Sequence, residues 1–254
     1  MKLSLSNGIF SKLGLTKNFA TVKRLGFENL EFNMKTVKKE NDTAVYAAKD
    51  LLDASGLNCL TLHSAALHVK DVVEVHRAIY YGKISLEFAQ KLKAPIMTVH
   101  SNISKKLPKP VRDKCLGAVF SELNDYSKIL GIKLALENLS NTSTGFGNNV
   151  EQLEEVLRII DDDDMGITFD FCHALETKQT DNLLEKYGSR VCNVHMANKA
   201  HKPFTKETPE LTKFLDKLHD YGYSGPITLE IAHNTPIEQI AQTKTLFEKI
   251  LPQY

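Results

Sequence analysis

Residues 132–138 read IKLALEN, a short apolar run that ends on an acid, Glu137, directly before a polar loop. Five other runs end in the same manner: LTLHS at His63, PIMTVHS at His100, GITFDFCH at Asp170, VCNVHM at His195 and PITLEI at Glu230. The six residues are separated by 37, 37, 33, 25 and 35 positions, which is about the length of one strand and one helix. Residue types that bind metal therefore recur once per strand–helix unit.

The rest of the chain repeats this alternation. Strands are expected at about residues 2–6, 29–33, 58–63, 95–100, 132–137, 166–170, 191–195 and 226–230. Helical patterns lie between them at about residues 43–56, 71–93, 111–131, 150–161, 209–223 and 236–251. Eight strands alternating with helices predict an α/β fold, a closed (β/α)8 TIM barrel. No Gly/Pro/Ser-rich linker interrupts the pattern, so we expect residues 1–254 to form one domain.

Strand parity predicts where the six polar residues point. Side chains alternate along a strand, so Leu134 and Leu136 should face the helices, while Ala135 and Glu137 face the barrel interior. Strand ends of a parallel barrel meet at one face, so the six side chains should converge there. A single strand-end histidine is usually a hydrogen-bonded core residue. Six such residues on separate strands favour a metal ion, because an unpartnered buried carboxylate would cost several kcal/mol.

The types of candidate ligand limit which metal ion can bind. Glu137, Asp170, His195 and Glu230 supply enough donors for one ion with open positions for substrate. His63 and His100 either bind a second ion that shares Glu137 or hydrogen-bond a substrate hydroxyl. Imidazole and carboxylate donors without thiolate favour zinc, and manganese, cobalt or iron(II) are also compatible. The sequence thus predicts a divalent metal cofactor, in one or two copies.

Composition limits the function classes. With 32 Lys and Arg against 31 Asp and Glu, the formal net charge is +1, which gives no global electrostatic case for nucleic acid. No apolar run reaches the roughly 18–20 residues that span a bilayer. The N-terminal MKLSLSNGIF lacks the features of a signal peptide. We therefore expect a cytoplasmic protein without a membrane partner, whose four cysteines are reduced.

Two basic loops follow strand ends and so belong to the same face. One holds Lys105, Lys106, Lys109 and Arg112, and the other holds Lys199, Lys202 and Lys206. For any single lysine a solvated rim is the simpler interpretation. Two such loops on one face leave an anionic substrate and a solvated rim equally open, and Lys105 and Lys199 are the candidate contacts if the substrate is anionic.

The set Glu137, Asp170-x-x-His173, His195 and Glu230 on successive strand ends resembles the xylose isomerase-like TIM barrels. That superfamily contains sugar-phosphate isomerases and epimerases, inosose-type enzymes and endonuclease IV. The segment LENLSNTSTGFGNNVEQLEEVL is similar to the endonuclease IV segment after strand five. The resemblance implies one zinc site at His63, His100 and Glu137, and a second at Glu137, Asp170, His195 and Glu230. It also implies that His173 corresponds to a ligand of a third zinc.

The loop HMANKAHKPFTKETPEL departs from the endonuclease pattern. Endonuclease IV has an Asp-x-His pair in a longer loop, whereas in this loop His201 is the only imidazole beyond His195 itself. This difference puts the third metal in doubt. His173 and His201 are then better interpreted as substrate-binding residues, as in the epimerase branch.

Two enzyme classes follow. In the first, an isomerase or epimerase acts on a carbohydrate or sugar phosphate, and Glu137 and Glu230 move a proton at the carbon beside the carbonyl. In the second, an endonuclease IV-like enzyme hydrolyses phosphodiesters at abasic sites, and the basic loops follow the DNA backbone. The first is favoured because the third-metal pair is missing and the net charge is near zero. A non-catalytic binding module is the remaining alternative.

Overall fold

The structure, a computed structural model, describes residues 1–37 and 42–254. Within these ranges eight parallel strands pair in chain order, and the last pairs with the first to close the sheet. The strands are β1 Lys2–Ser6, β2 Asn29–Asn33, β3 Asn58–His63, β4 Ile96–Val99, β5 Lys133–Glu137, β6 Gly166–Asp170, β7 Val191–Met196 and β8 Pro226–Leu229. The predicted (β/α)8 TIM barrel is confirmed, and every strand end lies within one residue of its expected position.

The helices surround the sheet. They are α1 Leu15–Arg24, α2 Asp42–Ser55, α3 Val75–Lys91, α4 Lys109–Leu130, α5 Val150–Ile160, α6 Phe171–Thr177, α7 Thr180–Tyr187, α8 Pro209–Asp220 and α9 Ile237–Ile250. Six of them match the predicted helical patterns. The sequence analysis named no helix at α1, α6 or α7. The connection from β6 to β7 holds two short helices, α6 and α7, in place of one long one.

Glycines end two of the predicted helices. Gly131 follows α4 with φ 68°, and Gly56 follows α2 with φ 63°. This left-handed conformation costs glycine no steric penalty, which makes it a common helix terminator. The Gly131 amide donates to the carbonyl of Lys128 and so satisfies one of the last carbonyls of α4.

The apolar core lies between the sheet and the helices. The outward strand positions are apolar and buried: Leu5, Leu30, Phe32, Leu62, Met97, Val99, Leu134, Leu136, Ile167, Phe169, Val194, Met196, Ile227 and Leu229. An aromatic cluster illustrates the packing, because the ring of Phe214 in α8 lies 4.9 Å from that of Phe169 and 4.6 Å from that of Phe171. Burial of these side chains holds the helices to the strands.

The barrel interior is polar. Glu31, Thr98, Thr168 and Thr228 come from the four even-numbered strands and are fully buried. The hydroxyls of Thr98 and Thr168 hydrogen-bond at 2.8 Å, and the Thr228 hydroxyl donates to Asn193 at 3.2 Å. Such layers usually consist of branched apolar residues. Here the floor beneath the strand C-termini is a hydrogen-bonded layer.

In the described ranges no helix combines the length and the apolarity required to cross a bilayer.

Replacing Phe169 by Ala should lower the free energy of unfolding by about 3–5 kcal/mol, because it removes a buried ring and leaves a cavity against α8. Chemical denaturation measures this change. The matched control is Ile129→Ala, whose side chain is 78% exposed and whose loss should change stability by no more than about 0.5 kcal/mol. Equal effects at the two positions would contradict the assignment of the core to the sheet–helix interface.

Candidate metal centre

The strand ends place the six predicted polar residues at one face of the barrel. Glu137, Asp170 and His63 are the last residues of β5, β6 and β3, and His195 is the penultimate residue of β7. His100 and Glu230 directly follow β4 and β8. One ligand atom from each of Glu137, Asp170, His195 and Glu230 lies within 4.8 Å of the others. These four side chains could therefore contact a single ion.

Close contacts surround the imidazole of His195. Its Nδ1 lies 3.4 Å from Oε2 of Glu137 and 3.3 Å from Oε2 of Glu230. His195 and Glu137 are fully buried, while Glu230 retains partial exposure. The ring nitrogen and two carboxylates thus point toward one small volume, with Glu230 on its solvent side.

The electrostatics of this group are strongly coupled. Burial opposes charge on Glu137, but the rings of His100 and His195 hold the pKa of its carboxyl well below the ordinary value. Burial also opposes a proton on His195, yet Glu31, Glu137 and Glu230 raise the pKa of that ring well above its usual range. Burial raises the pKa of Asp170. Positive charge in this volume is therefore favoured.

Several buried polar atoms in this volume lack a partner within the described chain. They are Nδ1 of His195, Oε1 of Glu137 and Oδ2 of Asp170. Leaving such atoms unsatisfied is costly, and all three can donate an electron pair to a cation. Imidazole and carboxylate donors at mutual distances of a few ångströms fit a divalent ion such as zinc, manganese, cobalt or iron(II).

A second group of candidate ligands shares Glu137. His100 Nε2 lies 2.8 Å and His63 Nε2 lies 3.6 Å from Oε2 of Glu137. The Nδ1 of His63 is 3.1 Å from the carbonyl oxygen of Ser64, so the Nδ1–H donates there and leaves Nε2 free as a ligand. The three ligand atoms also lie within 4.8 Å of one another.

A third group contains Asp170, His173 and His201. The Nδ1 of His173 donates to the carbonyl of Asn138, and that of His201 donates to the carbonyl of Glu230, each at 2.9 Å. The two Nε2 atoms then face each other at 3.3 Å. Two lone pairs cannot remain opposed at this distance, so the pair shares a proton or binds a common ligand.

A cavity of about 410 Å³ opens above these groups. It is lined by Ser6, Gly8, Ile9, Ser11, Lys12, Asn33, Lys35, His100, His173, His201, Glu230, Ile231 and His233. A wider cavity of about 840 Å³ lies at the opposite end of the barrel, where β1, β2 and β3 begin, away from the polar cluster. The smaller cavity has the size of a small-molecule site.

The two lysines expected to contact substrate lie outside this lining. The Lys105 ammonium donates to the carbonyl of Ser143 at 2.7 Å, and Lys199 begins a 3-10 turn, Lys199–His201. Neither borders the 410 Å³ cavity. Lys12 and Lys35, on the loops after β1 and β2, border it instead. Sequence reasoning missed them because a loop's path cannot be read from residue types.

Sequence reasoning also missed Glu31. This residue occupies the middle of β2, fully buried, and its Oε2 lies 2.9 Å from Nε2 of His195. Thr61 donates to the same oxygen at 2.9 Å, and Asn193 donates at 3.4 Å. The sequence did contain a signal for this residue. A carboxylate stands between Leu30 and Phe32, at a strand position whose side chain faces the barrel interior.

The comparisons with known proteins agree with the fold. A family model described as a xylose isomerase-like TIM barrel matches residues 19–250. Two relatives are uncharacterized proteins of Methanocaldococcus jannaschii. MJ1311 is 28% identical over 178 residues, 66% of this chain and 60% of the relative, and MJ1188 is 25% identical over 154 residues, 58% and 56% respectively. The chain thus spans less than two thirds of the length of the curated relatives that it matches.

Solved structures share the architecture at low identity. A D-tagatose 3-epimerase-like protein superposes with a TM-score of 0.80 at 20% identity, over 100% of this chain and 98% of that one. The 3-keto-D-glucoside 4-epimerase YcjR from E. coli gives 0.78 at 17%, over 96% and 99%. A D-psicose 3-epimerase structure determined in the presence of D-fructose gives 0.77 at 14%, over 99% of each chain. At these identities the likeness shows the fold alone.

Loading with zinc should release protons. Burial lowers the pKa of the His195 and His100 rings, but the neighbouring carboxylates outweigh it and raise the pKa of both above the ordinary value. A raised pKa favours the protonated ring, and a bound ion must displace that proton. The apparent affinity should therefore rise with pH, by about tenfold per pH unit for each proton released. Calorimetric titration in two buffers of different ionisation enthalpy measures the proton count. Tight binding without proton release would contradict the expectation that these rings are protonated before the ion binds.

Proposed function

Since the chain belongs to the xylose isomerase-like TIM barrel family, we propose that it is a divalent-metal-dependent sugar isomerase or epimerase. It would move a proton at the carbon beside a carbonyl. The observation that carries the proposal is the placement of two carboxylates, Glu137 and Glu230, beside Nδ1 of the same imidazole, with Glu230 bordering a 410 Å³ cavity. The similar structures are described as epimerases or as epimerase-like, which supports the proposal.

Glu137, Asp170, His195 and Glu230 would hold the ion, with zinc favoured by the donor set and manganese, cobalt or iron(II) also suited. When bound there, a divalent ion supplies Lewis-acid polarisation of the substrate carbonyl, which acidifies the neighbouring C–H bond. His63 and His100, which share Glu137, would accommodate a second ion or bind a substrate hydroxyl.

Glu230 and Glu137 differ in access to the substrate. Glu230 borders the cavity, while Glu137 lies fully buried beneath it. Their carboxyl pKa values are lowered: burial opposes ionisation in both, but neighbouring histidines outweigh it. Both are therefore ionised at rest, as general bases must be. One carboxylate would remove the proton from the carbon beside the carbonyl, and the other would return a proton to the same or an adjacent carbon.

His173 and His201 would orient the substrate. Their Nδ1 atoms are fixed by backbone carbonyls, and both residues border the cavity. Each ring therefore has a defined tilt and presents Nε2 as the atom that contacts a hydroxyl. Such fixed contacts hold an open-chain sugar so that the reacting carbon meets the carboxylates.

A second candidate function is endonuclease IV-like hydrolysis of abasic DNA. The observation in its favour is the presence of three adjoining ligand groups, which together offer donors for more than one ion. Against it, the cavity borders only two lysines among the described residues, and the net charge is +1. Binding DNA usually requires neutralising several phosphates. The isomerase or epimerase assignment is therefore the better supported of the two.

Glu230→Gln should reduce turnover of a converted ketose or ketose phosphate by at least about a hundredfold, because an amide cannot accept the proton. Exchange of the carbon-bound hydrogen with deuterated solvent, followed by NMR over a panel of ketoses, measures the step directly. Glu210→Gln, on the exposed surface of α8, is the matched control and should retain full activity. Chelator-sensitive cleavage of abasic duplex DNA, without ketose exchange, would instead support the endonuclease.

The charge of the substrate can be tested with lysine variants. Lys12 and Lys35 border the cavity, and neither ammonium is ion-paired within the described part of the chain. If the substrate is a sugar phosphate, replacing either by Ala should raise KM by about tenfold or more, since a monoester depends on one or two cationic contacts. Lys105→Ala is the control, because its ammonium is occupied by Ser143. An unchanged KM in all variants would indicate a neutral sugar.

A further inference from the structure

We infer that Glu31 is a positioning residue that fixes the tautomer of His195, so that Nδ1 and not Nε2 of this ring is presented to the metal. The inference rests on the proposed metal centre and assigns a role to a residue outside it. Glu31 lies in the middle of β2, below the strand ends that carry the candidate ligands.

The contact between the two side chains determines the tautomer. Oε2 of Glu31 and Nε2 of His195 are 2.9 Å apart, and both residues are fully buried. A carboxylate oxygen can only accept, so the hydrogen must lie on Nε2. The neutral ring then carries its lone pair on Nδ1. Carboxylate-to-histidine hydrogen bonds of this kind commonly orient metal-binding rings and increase their basicity.

The orientation of the ring agrees with this assignment. Nδ1 faces the carboxylates of Glu137 and Glu230 at 3.4 and 3.3 Å, on the side opposite Glu31. The ring also stacks on that of His63, with centroids 5.7 Å apart and planes inclined by 9°. A flip of the imidazole about its Cβ–Cγ bond would exchange Nδ1 with Cδ2 and Nε2 with Cε1, so that carbon atoms would face both the ligand cluster and Glu31 and the hydrogen bond to Glu31 would be lost.

Glu31 is itself held by the polar layer of the barrel interior. Thr61 from β3 and Asn193 from β7 donate to its Oε2. Asn193 also donates to Thr98 at 3.2 Å and accepts from Thr228 at 3.2 Å. Two side chains from separate strands therefore donate directly to Oε2 of Glu31, and Thr98 and Thr228 in turn hold one of them, Asn193. These contacts link the position of the Glu31 carboxylate, and with it the ring of His195, to the strands of the sheet.

Stability alone gives no reason for an acid at this position. Burying a carboxylate is costly even when it is hydrogen-bonded, and apolar replacements of buried ionic groups are often neutral or stabilising. Most barrel interiors use branched apolar residues at the corresponding depth. The free-energy cost of burying Glu31 is explained if this carboxylate orients and polarises the imidazole of His195.

Three variants test the inference. Glu31→Leu removes the acceptor and should weaken zinc binding by about 10- to 100-fold, the usual effect of losing such a partner. Glu31→Gln keeps a carbonyl oxygen that can accept from Nε2–H, and should restore most of the affinity. Thr168→Val is the matched control: it removes a hydrogen bond of the same buried layer, to Thr98, leaves both donors to Glu31 and the acceptor for His195, and should change affinity by less than about threefold.

Zinc affinity is measured by competition with a chromophoric chelator, and stoichiometry is measured by elemental analysis. Long-range ¹H–¹⁵N NMR of the zinc-loaded wild type reports the ring directly, and should show hydrogen on Nε2 and zinc on Nδ1 of His195. This spectrum tests the inference even if Glu31→Leu fails to fold. Thermal unfolding of the metal-free proteins separates an effect on zinc from an effect on stability.

The outcomes are distinct. Zinc on Nε2 of His195, or wild-type affinity in Glu31→Leu, would overturn the inference while leaving the metal centre intact. Equal losses of affinity and stability in all three variants would show a structural role and would also overturn it. A wild-type protein that binds no divalent ion would refute the proposed function and this inference together.

Discussion

The burial of the Glu137 carboxylate among imidazole rings is the constraint on which the rest of this site depends. Its two oxygens lie within 3.6 Å of nitrogens from His63, His100, His173 and His195. A negative charge at this depth must be surrounded by donors or cations. Strands β3, β4, β6 and β7 therefore present polar groups at the same level. The barrel obtains its apolar stabilisation elsewhere, between the sheet and the helices.

Polar residues occupy the strand ends and the barrel interior, while apolar residues face the helices. Because of this separation, much of the architecture could be predicted from the sequence. A polar residue at the end of an apolar run, such as Asp170 after Phe169, identifies both the strand end and the face it presents. Period-2 alternation then fixes the parity of every other strand residue. The spacing of the runs supplies the number of units. These signals are local, so residue types and their order are sufficient to read them.

The unpredicted features depend on distance across the barrel or on the path of a loop. Glu31 is 164 positions from His195 in the sequence, and only closure of the sheet brings them into contact. Lys12 and Lys35 border the cavity because the loops after β1 and β2 turn inward, whereas Lys105 is bound to Ser143. Each is an ordinary residue type in its local context. Composition and spacing cannot distinguish a lysine over the cavity from one on the rim.

The strict alternation of faces in the strands also limits how such a protein can diverge. A single inserted or deleted residue within a strand would turn every later side chain to the other face, bringing leucines into the polar interior and carboxylates into the helix layer. A bulge can absorb one extra residue, as the register shifts in the β2–β3 and β6–β7 pairings show, but without a bulge a change of length is incompatible with these faces. Insertions and deletions must accumulate in the connections between strands and helices. Loop length can therefore change without turning the strand faces, and new substrate preferences can arise by remodelling the rim above an unaltered floor.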